Sequence, residues 1–289
     1  MMVRVVLRER LAWAAGMLDG DGTIVVSRSR YISVHLGSTD PRLLARFRAS
    51  VGMGNVTGPY SHRHPGRWSR KPQYFFQAYA GGVDLLDALW FVLGSAKRRQ
   101  ACAAASQIKD SSSPRQIPDF LLSFSTGDNF HEMSRRERLA WAAGFFEAEG
   151  CISHSKRSGV CVSITQTDTE VLERFRAALG LGRIYGPYTS KHGDGISRKP
   201  HYFYRATGHH HTQAIVAMIW TWLGDEKRRQ AVAALNRVLV CQRGHLKVAG
   251  ERGCSLCRVE QWREWRLRRG LPAAPPRPAR SAGRGSALS

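Results

Sequence analysis

The sequence predicts an α+β fold of two tandem αββαββα repeats, with a small cysteine–histidine module behind them. Three observations carry that reading. First, RERLAWAAG stands at 8–16 and again at 136–144, and the two copies stay in step. TDPRLLARFRASVGMGNVTGPY (39–60) is answered by TDTEVLERFRAALGLGRIYGPY (167–188), SRKPQYFF (69–76) by SRKPHYFY (197–204), and LGSAKRRQA (93–101) by LGDEKRRQA (223–231). A repeat this long is a duplicated domain rather than a solenoid unit. Second, helical spacing and strand alternation follow one order in each copy. Third, Cys241, His245, Cys254 and Cys257 cluster directly after the second copy.

The elements follow in order. Leu7, Leu11, Ala14, Ala15 and Leu18 recur at helical spacing and predict a helix over 7–19. Residues 23–28 and 31–36 alternate as two strands joined by a short polar turn. Asp40 can cap a helix over 41–51, with Pro41 suited to its first turn and Gly52–Gly54 ending it. Residues 55–60 and 73–79 read as the next strands, linked by the basic loop SHRHPGRWSRKP. Residues 84–93 and 95–107 read as terminal helices. The second copy repeats this order with an insertion near 209–212. The resulting domains are 1–108, the first repeat; 109–134, a linker in which 120–124 can pack down; 135–239, the second repeat; and 240–270, the module with a basic helix. A Pro-, Ala-, Gly- and Arg-rich tail, 271–289, is expected to be disordered.

Composition narrows the partners. The 289 residues carry a formal charge of +22, from 44 basic and 22 acidic side chains. So basic a chain is expected to seek a polyanion, above all nucleic acid. No apolar run approaches the ~20 residues needed to span a bilayer, and the N-terminus lacks the features of a signal peptide. The expectation is a cytoplasmic protein with no membrane partner. Cys102, Cys151 and Cys161 are scattered and read as buried or free thiols.

The repeated first helix is lined with small residues, Ala12, Ala15 and Gly16 in one copy and Ala140, Ala143 and Gly144 in the other. Two such helices can approach closely at the centre of the molecule. Their ends would then bring Asp21, from MLDGDG, beside Glu149, from FFEAEG. Carboxylates at a helix C-terminus oppose its dipole, and two together repel. Bound cations would offset that cost, and Mg²⁺ with oxygen ligands is the natural candidate. The Gly20 and Ala148 carbonyls are further candidate donors. An EF-hand loop is excluded, because its glycine position holds Ile24 and EAEG replaces DGDG in the second copy.

AAGMLDGDG (14–22) and AAGFFEAEG (142–150) resemble the signature of LAGLIDADG homing endonucleases. Gly16, Asp21 and Gly22 match in the first copy, and Gly144, Glu149 and Gly150 in the second. The repeated order resembles the single-chain, double-motif members, over about 8–107 and 136–239. The resemblance implies a pseudo-twofold saddle of two four-stranded antiparallel sheets in the DNA major groove, with the signature helices at the interface. It implies that Asp21 and Glu149 bind two or three Mg²⁺ ions, and that each site cuts one strand of an asymmetric target. It also implies that the chain is a monomer and that its gene serves intron or intein mobility. Lys97 and Lys227, in KRRQA, match a lysine that assists at the family's active sites. Here that lysine can stabilise developing charge, or serve only as a basic cap or phosphate contact. Gln166, in ITQTDT, matches a further active-site glutamine, whereas Ser38 replaces it in the first copy. The two sites are therefore expected to be unequal.

Major-groove readout needs alternating side chains on one face of a β-ribbon. Arg28, Arg30, His35, Lys156, Arg157 and Ser163 lie on the first two strands of each repeat or their turns. Arg70, Lys71, Arg198 and Lys199 sit in the repeated SRKP and suit a phosphate clamp. Ordinary solvated charge is the competing reading for each, so they are held as a set. Trp13 and Trp141 read as core or interface. The spacing Cys241-x3-His245-x8-Cys254-x2-Cys257 offers three thiolates and an imidazole for one structural Zn²⁺. It resembles zinc ribbons appended to phage and bacterial nucleases. The following basic helix, 259–269, either extends DNA contact or packs on the second repeat.

The function expected is metal-dependent double-strand cleavage of a long asymmetric DNA site. An RNA maturase acting on intron RNA and a non-catalytic DNA-binding regulator are the alternatives. The composition, rich in Arg, Ala and Gly, points to a bacterial or phage source. An intact intein is not expected, since a Cys or Ser start and a His-Asn end are missing.

Overall fold

The computed structural model describes residues 2–27, 31–61, 71–108, 117–122, 129–155, 159–189, 199–241, 243–247 and 253–271. The first repeat runs α1 (Met2–Asp21), β1 (Gly22–Ser27), β2 (Tyr31–Ser38), α2 (Pro41–Val51), β3 (Asn55–Tyr60), β4 (Gln73–Ala78), α3 (Gly82–Leu89) and α4 (Ser95–Ser106). A short α5 (Asp119–Leu122) follows. The second repeat runs α6 (Arg135–Glu149), β5 (Cys151–Ser155), β6 (Gly159–Gln166), α7 (Thr169–Leu179), β7 (Arg183–Tyr188), β8 (His201–Thr207), α8 (His209–Ile219) and α9 (Asp225–Leu239). The last described helix is α10 (Ser255–Arg268). The fold is α+β, with two four-stranded antiparallel sheets ordered β1-β2-β4-β3 and β5-β6-β8-β7.

Local chemistry places most boundaries where the sequence put them. The Arg42 N–H donates to Asp40 Oδ1 at 3.0 Å, and the Glu170 N–H donates to Asp168 Oδ1 at 2.8 Å, so α2 and α7 begin alike. Both end on a left-handed glycine, Gly52 at φ 72° and Gly180 at φ 69°. A side chain there would be strained. Two boundaries differ. The first helix is longer than the expected 7–19, because no glycine or proline interrupts residues 2–15. The third helix spans Gly82–Leu89 rather than 84–93, because the chain turns through 90–93 to bring the Gly94 N–H to Asp19.

Each sheet buries one face. In the first, Ile24, Ile32, Val34, Leu36 and Phe76 close over Leu44 and Phe47 of α2. In the second, Ile152, Val160, Val162, Ile164 and Tyr204 do the same over Leu172 and Phe175 of α7. The Tyr204 hydroxyl donates to the Leu181 carbonyl at 2.8 Å, which satisfies the one polar atom of that ring. Part of the expected linker is core: Leu121, Phe130 and Met133 are buried, and Phe120 lies 4.8 Å from the Trp90 ring. The packing at Leu121 falls in the stretch read as able to pack down, whereas that at Phe130 and Met133 was not foreseen. The chain divides into two units between Leu235 and Asn236. No described helix is long and apolar enough to cross a membrane.

Candidate functional site

The centre of the first unit is the crossing of α1 and α6. A Cβ at Gly16 would overlap the Trp141 carbonyl oxygen, and one at Gly144 would overlap that of Trp13. Only glycine permits backbones this close. Trp13 and Trp141 are buried beside the crossing. The first two letters of RERLAWAAG also meet across it. Arg8 Nε lies 2.6 Å from Glu137 Oε1, and Arg136 Nε lies 2.5 Å from Glu9 Oε1, a reciprocal pair of salt bridges onto two buried glutamates.

The crossing delivers Asp21 and Glu149, the last residues of α1 and α6, to one place. Burial, followed by the neighbouring Glu149 charge, pushes the Asp21 carboxyl up to about 6 although its outer side stays open to solvent. Burial also raises Glu149, opposed by a hydrogen bond from the Gln166 side chain. Gly20 and Ala148, the proposed backbone donors, stand next to the pair: a Cβ at Gly20 would crowd Ala148 Cβ and Glu149 Cγ. Burial lowers the Lys97 and Lys227 ammonium groups, and the acids around them work against it. Lys97 Nζ donates to the Gly22 carbonyl at 2.5 Å, and Lys227 Nζ donates to the Gly150 carbonyl. Each lysine is thereby fixed one residue past the acid of its own repeat.

Two clefts lie beside this site, the first of them reaching Asp21, and each draws on both repeats. One, of about 530 Å³, is lined by Asp21, Ser38, Lys71, Glu147 and Lys227. The other, of about 300 Å³, is lined by Asp19, Lys97, Gln166 and Arg174. Gln166 hydrogen-bonds an acid, while Ser38 Oγ accepts from the Asp40 N–H at 3.1 Å at the turn into α2. The environments of the two acids are therefore unequal.

Sequence reasoning missed four supporting residues. Asp19 Oδ2 accepts from Trp141 Nε1 at 2.7 Å, and both its oxygens accept from the Gly94 N–H at 3.0–3.1 Å. Glu147 accepts from the Gly224 N–H. The first acid of each motif thus ties the signature helix to the start of the helix bearing the lysine. Arg46 stacks 4.0 Å over Trp13 and donates to the Trp222 carbonyl at 2.7 Å. Arg174 stacks 4.5 Å over Trp141 and donates to the Val92 carbonyl at 2.7 Å. The signal available was the repeat itself, since all four are charged in both copies.

The outer face of each sheet carries a matched row. In the first, Thr23, His35, Gln77 and Asn55 stand opposite one another in turn across β1, β2, β4 and β3. In the second the row is Cys151, Ser163, Arg205 and Arg183. His35 and Ser163 therefore lie where strand alternation put them. Arg183 and Arg205, both exposed, were missed because period-2 patterning does not reveal which strands are neighbours. Lys71 and Lys199 are exposed. Arg28, Arg30, Arg70, Lys156, Arg157 and Arg198 lie outside the described residues.

In the second unit, one ligand atom from each of Cys241, His245, Cys254 and Cys257 falls within 4.8 Å of all the others. Individual separations are 3.4 Å for Cys241 Sγ–Cys257 Sγ, 3.3 Å for His245 Nδ1–Cys257 Sγ and 3.7 Å for His245 Nδ1–Cys254 Sγ. Tetrahedral ligands at the usual zinc distances are spaced about 3.5–4 Å apart. His245 Nε2 lies 3.4 Å from Glu260 Oε1, so a carboxylate faces the nitrogen that points away from the cluster.

Residues 136–198 match the model of the LAGLIDADG-like domain. The match lies within the second repeat, and the first repeat carries the same succession of residues 128 positions earlier. No curated protein sequence matches the chain. Among solved structures, the chain is similar to the LAGLIDADG meganuclease I-AabMI bound to uncleaved DNA, with 15% identity, TM-score 0.49, and coverage of 78% of this chain and 89% of that one. It is similar to the homing endonuclease I-GzeII in complex with its DNA target at 10% identity and TM-score 0.47, covering 79% and 89%. It is also similar to I-SmaMI bound to cleaved DNA at 15% identity and TM-score 0.45, covering 78% and 90%.

Proposed function

We propose that this chain is a site-specific DNA endonuclease that cuts both strands of a long asymmetric duplex in a divalent-metal-dependent reaction. The observation that carries the reading is the meeting of Asp21 and Glu149 at the ends of two glycine-crossed helices, with a fixed lysine beside each. The donor set fits Mg²⁺: two hard carboxylates are raised by burial, and Asp21 further by the Glu149 charge, a cost that a divalent cation relieves. When bound, such an ion supplies Lewis acidity and an activated water. The chain's residues do the rest. Asp21 and Glu149 hold the charge centre, with the Gly20 and Ala148 backbone as further donors. Lys97 and Lys227 place positive charge where a phosphodiester gains negative charge. Gln166 orients Glu149, a constraint without counterpart at Ser38.

The sheet rows supply recognition. Arg183 directly opposite Arg205 costs the isolated fold like-charge repulsion, and a nucleic acid seated there removes it. One row is neutral and the other doubly cationic, which suits two unlike half-sites read by a monomer. In the second unit, Cys241, His245, Cys254 and Cys257 hold one structural Zn²⁺, with Glu260 fixing the His245 tautomer.

Cleavage of a randomised duplex library with Mg²⁺, followed by end sequencing, tests the reading. A discrete set of cut sites is expected. Asp21→Asn is expected to abolish strand scission while leaving duplex binding largely intact. Tight binding without any cut would favour the regulator or maturase reading, and wild-type cutting by Asp21→Asn would overturn the catalytic assignment.

A further inference from the structure

The helix α10 has a sorted surface. Cys257, Glu260 and Glu264 share one side, and that side is engaged. Arg243 Nη1 lies 3.1 Å from Glu260 and 3.9 Å from Glu264, and His245 faces Glu260. Helical periodicity puts Arg258, Trp262, Trp265, Arg266 and Arg269 on the opposite side. None of the residues of α10 is buried, and Trp262 and Trp265 are 43% and 45% exposed. Two large indoles left half open on a charged helix mark a contact surface rather than a core.

Charge selects the occupant. Arg258, Arg263, Arg266, Arg268 and Arg269 stand against only Glu260 and Glu264 in this stretch, and both acids are turned toward the knuckle. The guanidinium of Arg266 lies 4.9 Å over the Trp262 ring, and that of Arg269 lies 4.4 Å over Trp265. Each indole therefore has one face covered by an arginine, which leaves only the other face for stacking. The contact with Trp265 holds the planar guanidinium of Arg269 in one orientation at low entropy, which suits it to a phosphate. The Cys254 thiol accepts from the Cys257 N–H at the start of α10, so the cysteine–histidine cluster sets which side of the helix turns outward.

We propose that α10 is a duplex-DNA-binding helix that grips the sugar–phosphate backbone through Arg258 and Arg269, with Arg269 braced on Trp265 and Trp262 on the same face. It is a second nucleic-acid surface separate from the sheet rows, and it rests on the reading of the chain as a DNA-binding protein. The test uses full-length protein and a random-sequence duplex of about 60 base pairs, titrated from about 50 to 200 mM salt without Mg²⁺, beside a single strand of the same length. Arg258→Gln/Arg269→Gln is expected to bind the duplex several-fold more weakly and to lower the slope of log affinity against log salt by about 1 to 2. Arg263→Gln/Arg268→Gln removes the same charge from the rest of the helix and is expected to keep the wild-type slope. Zinc content checks that each variant is folded. If the first pair holds less zinc, Arg269→Gln alone repeats the measurement, with an expected slope change of about 1. Equal losses in both pairs, no loss in the first, or a loss confined to the single strand would overturn the proposal while leaving the endonuclease reading in place. Failure of the wild-type protein to bind the duplex would overturn both.

Discussion

Asp21 carries most of the proposed chemistry, and its titration makes a prediction. Its carboxyl is pushed up to about 6, first by burial and then by Glu149. Only the ionised form binds a cation. Mg²⁺ binding is therefore expected to weaken as pH falls through about 6, whereas an ordinary aspartate would hold on to about 4. The stability sign is the opposite. A raised acid takes up its proton more readily in the folded state, so the metal-free protein loses stability as pH rises from about 4 to about 6. Thermal melts of metal-free protein across that range should show the wild type falling relative to Asp21→Asn, with Mg²⁺ at pH 7 recovering part of the loss. A wild-type curve that rises relative to the variant would contradict the assignment. At this scale the last acid of each motif was readable because it repeats beside a glycine. Asp19 and Glu147 repeat as well, but their work lies in the Gly94 and Gly224 N–H groups, seventy-odd residues away in the chain. Spacing along the chain could not disclose those partners.

Among elements, the crossing of α1 and α6 sets the geometry of everything else. Gly144→Ala would drive a methyl into the Trp13 carbonyl. Backbone cannot yield as a side-chain tip can, so the expected cost is at least the ~1–3 kcal/mol of ordinary overpacking. Gly81→Ala, at the start of α3, where the nearest atom to a new Cβ is Met53 Sδ at 3.9 Å, is the control and should cost no more than a cap loss of about 1 kcal/mol. Urea unfolding of the two variants decides it; similar midpoints would mean that the helices separate without penalty. Sequence pattern located α2, β3 and their counterparts closely, since caps and left-handed glycines are local chemistry. It misjudged α1 and α3, whose limits are set by long-range contacts or by nothing local at all. The sheet order β1-β2-β4-β3 was likewise beyond periodicity, so Arg183 and Arg205 stayed hidden until their strands were seen side by side.

At the scale of the whole molecule, the two units should respond to different metals. A chelator strong enough to remove zinc is expected to unfold the unit beginning at Asn236, whose described residues bury little besides Cys254. The unit ending at Leu235 has a full apolar core and should keep its own melting transition. Calorimetry with and without chelator, with metal analysis of the untreated protein, tests this. Near-zero zinc after mild purification, or a single transition lost as a whole, would contradict it. The clustering of these four side chains was legible, because residues set at short spacings stay close in space.

The reciprocal salt bridges, Arg8 to Glu137 and Arg136 to Glu9, make RERLAWAAG a word that reads itself. Each copy is the other's template, so a change in one half must be answered in the other. No such bond links the outer rows, where Thr23, His35, Gln77 and Asn55 owe nothing to Cys151, Ser163, Arg205 and Arg183. Inheritance and engineering alike can therefore rewrite one half's outer row while the seam stays fixed, and a half taken from a sister chain with the same seam should dock without redesign.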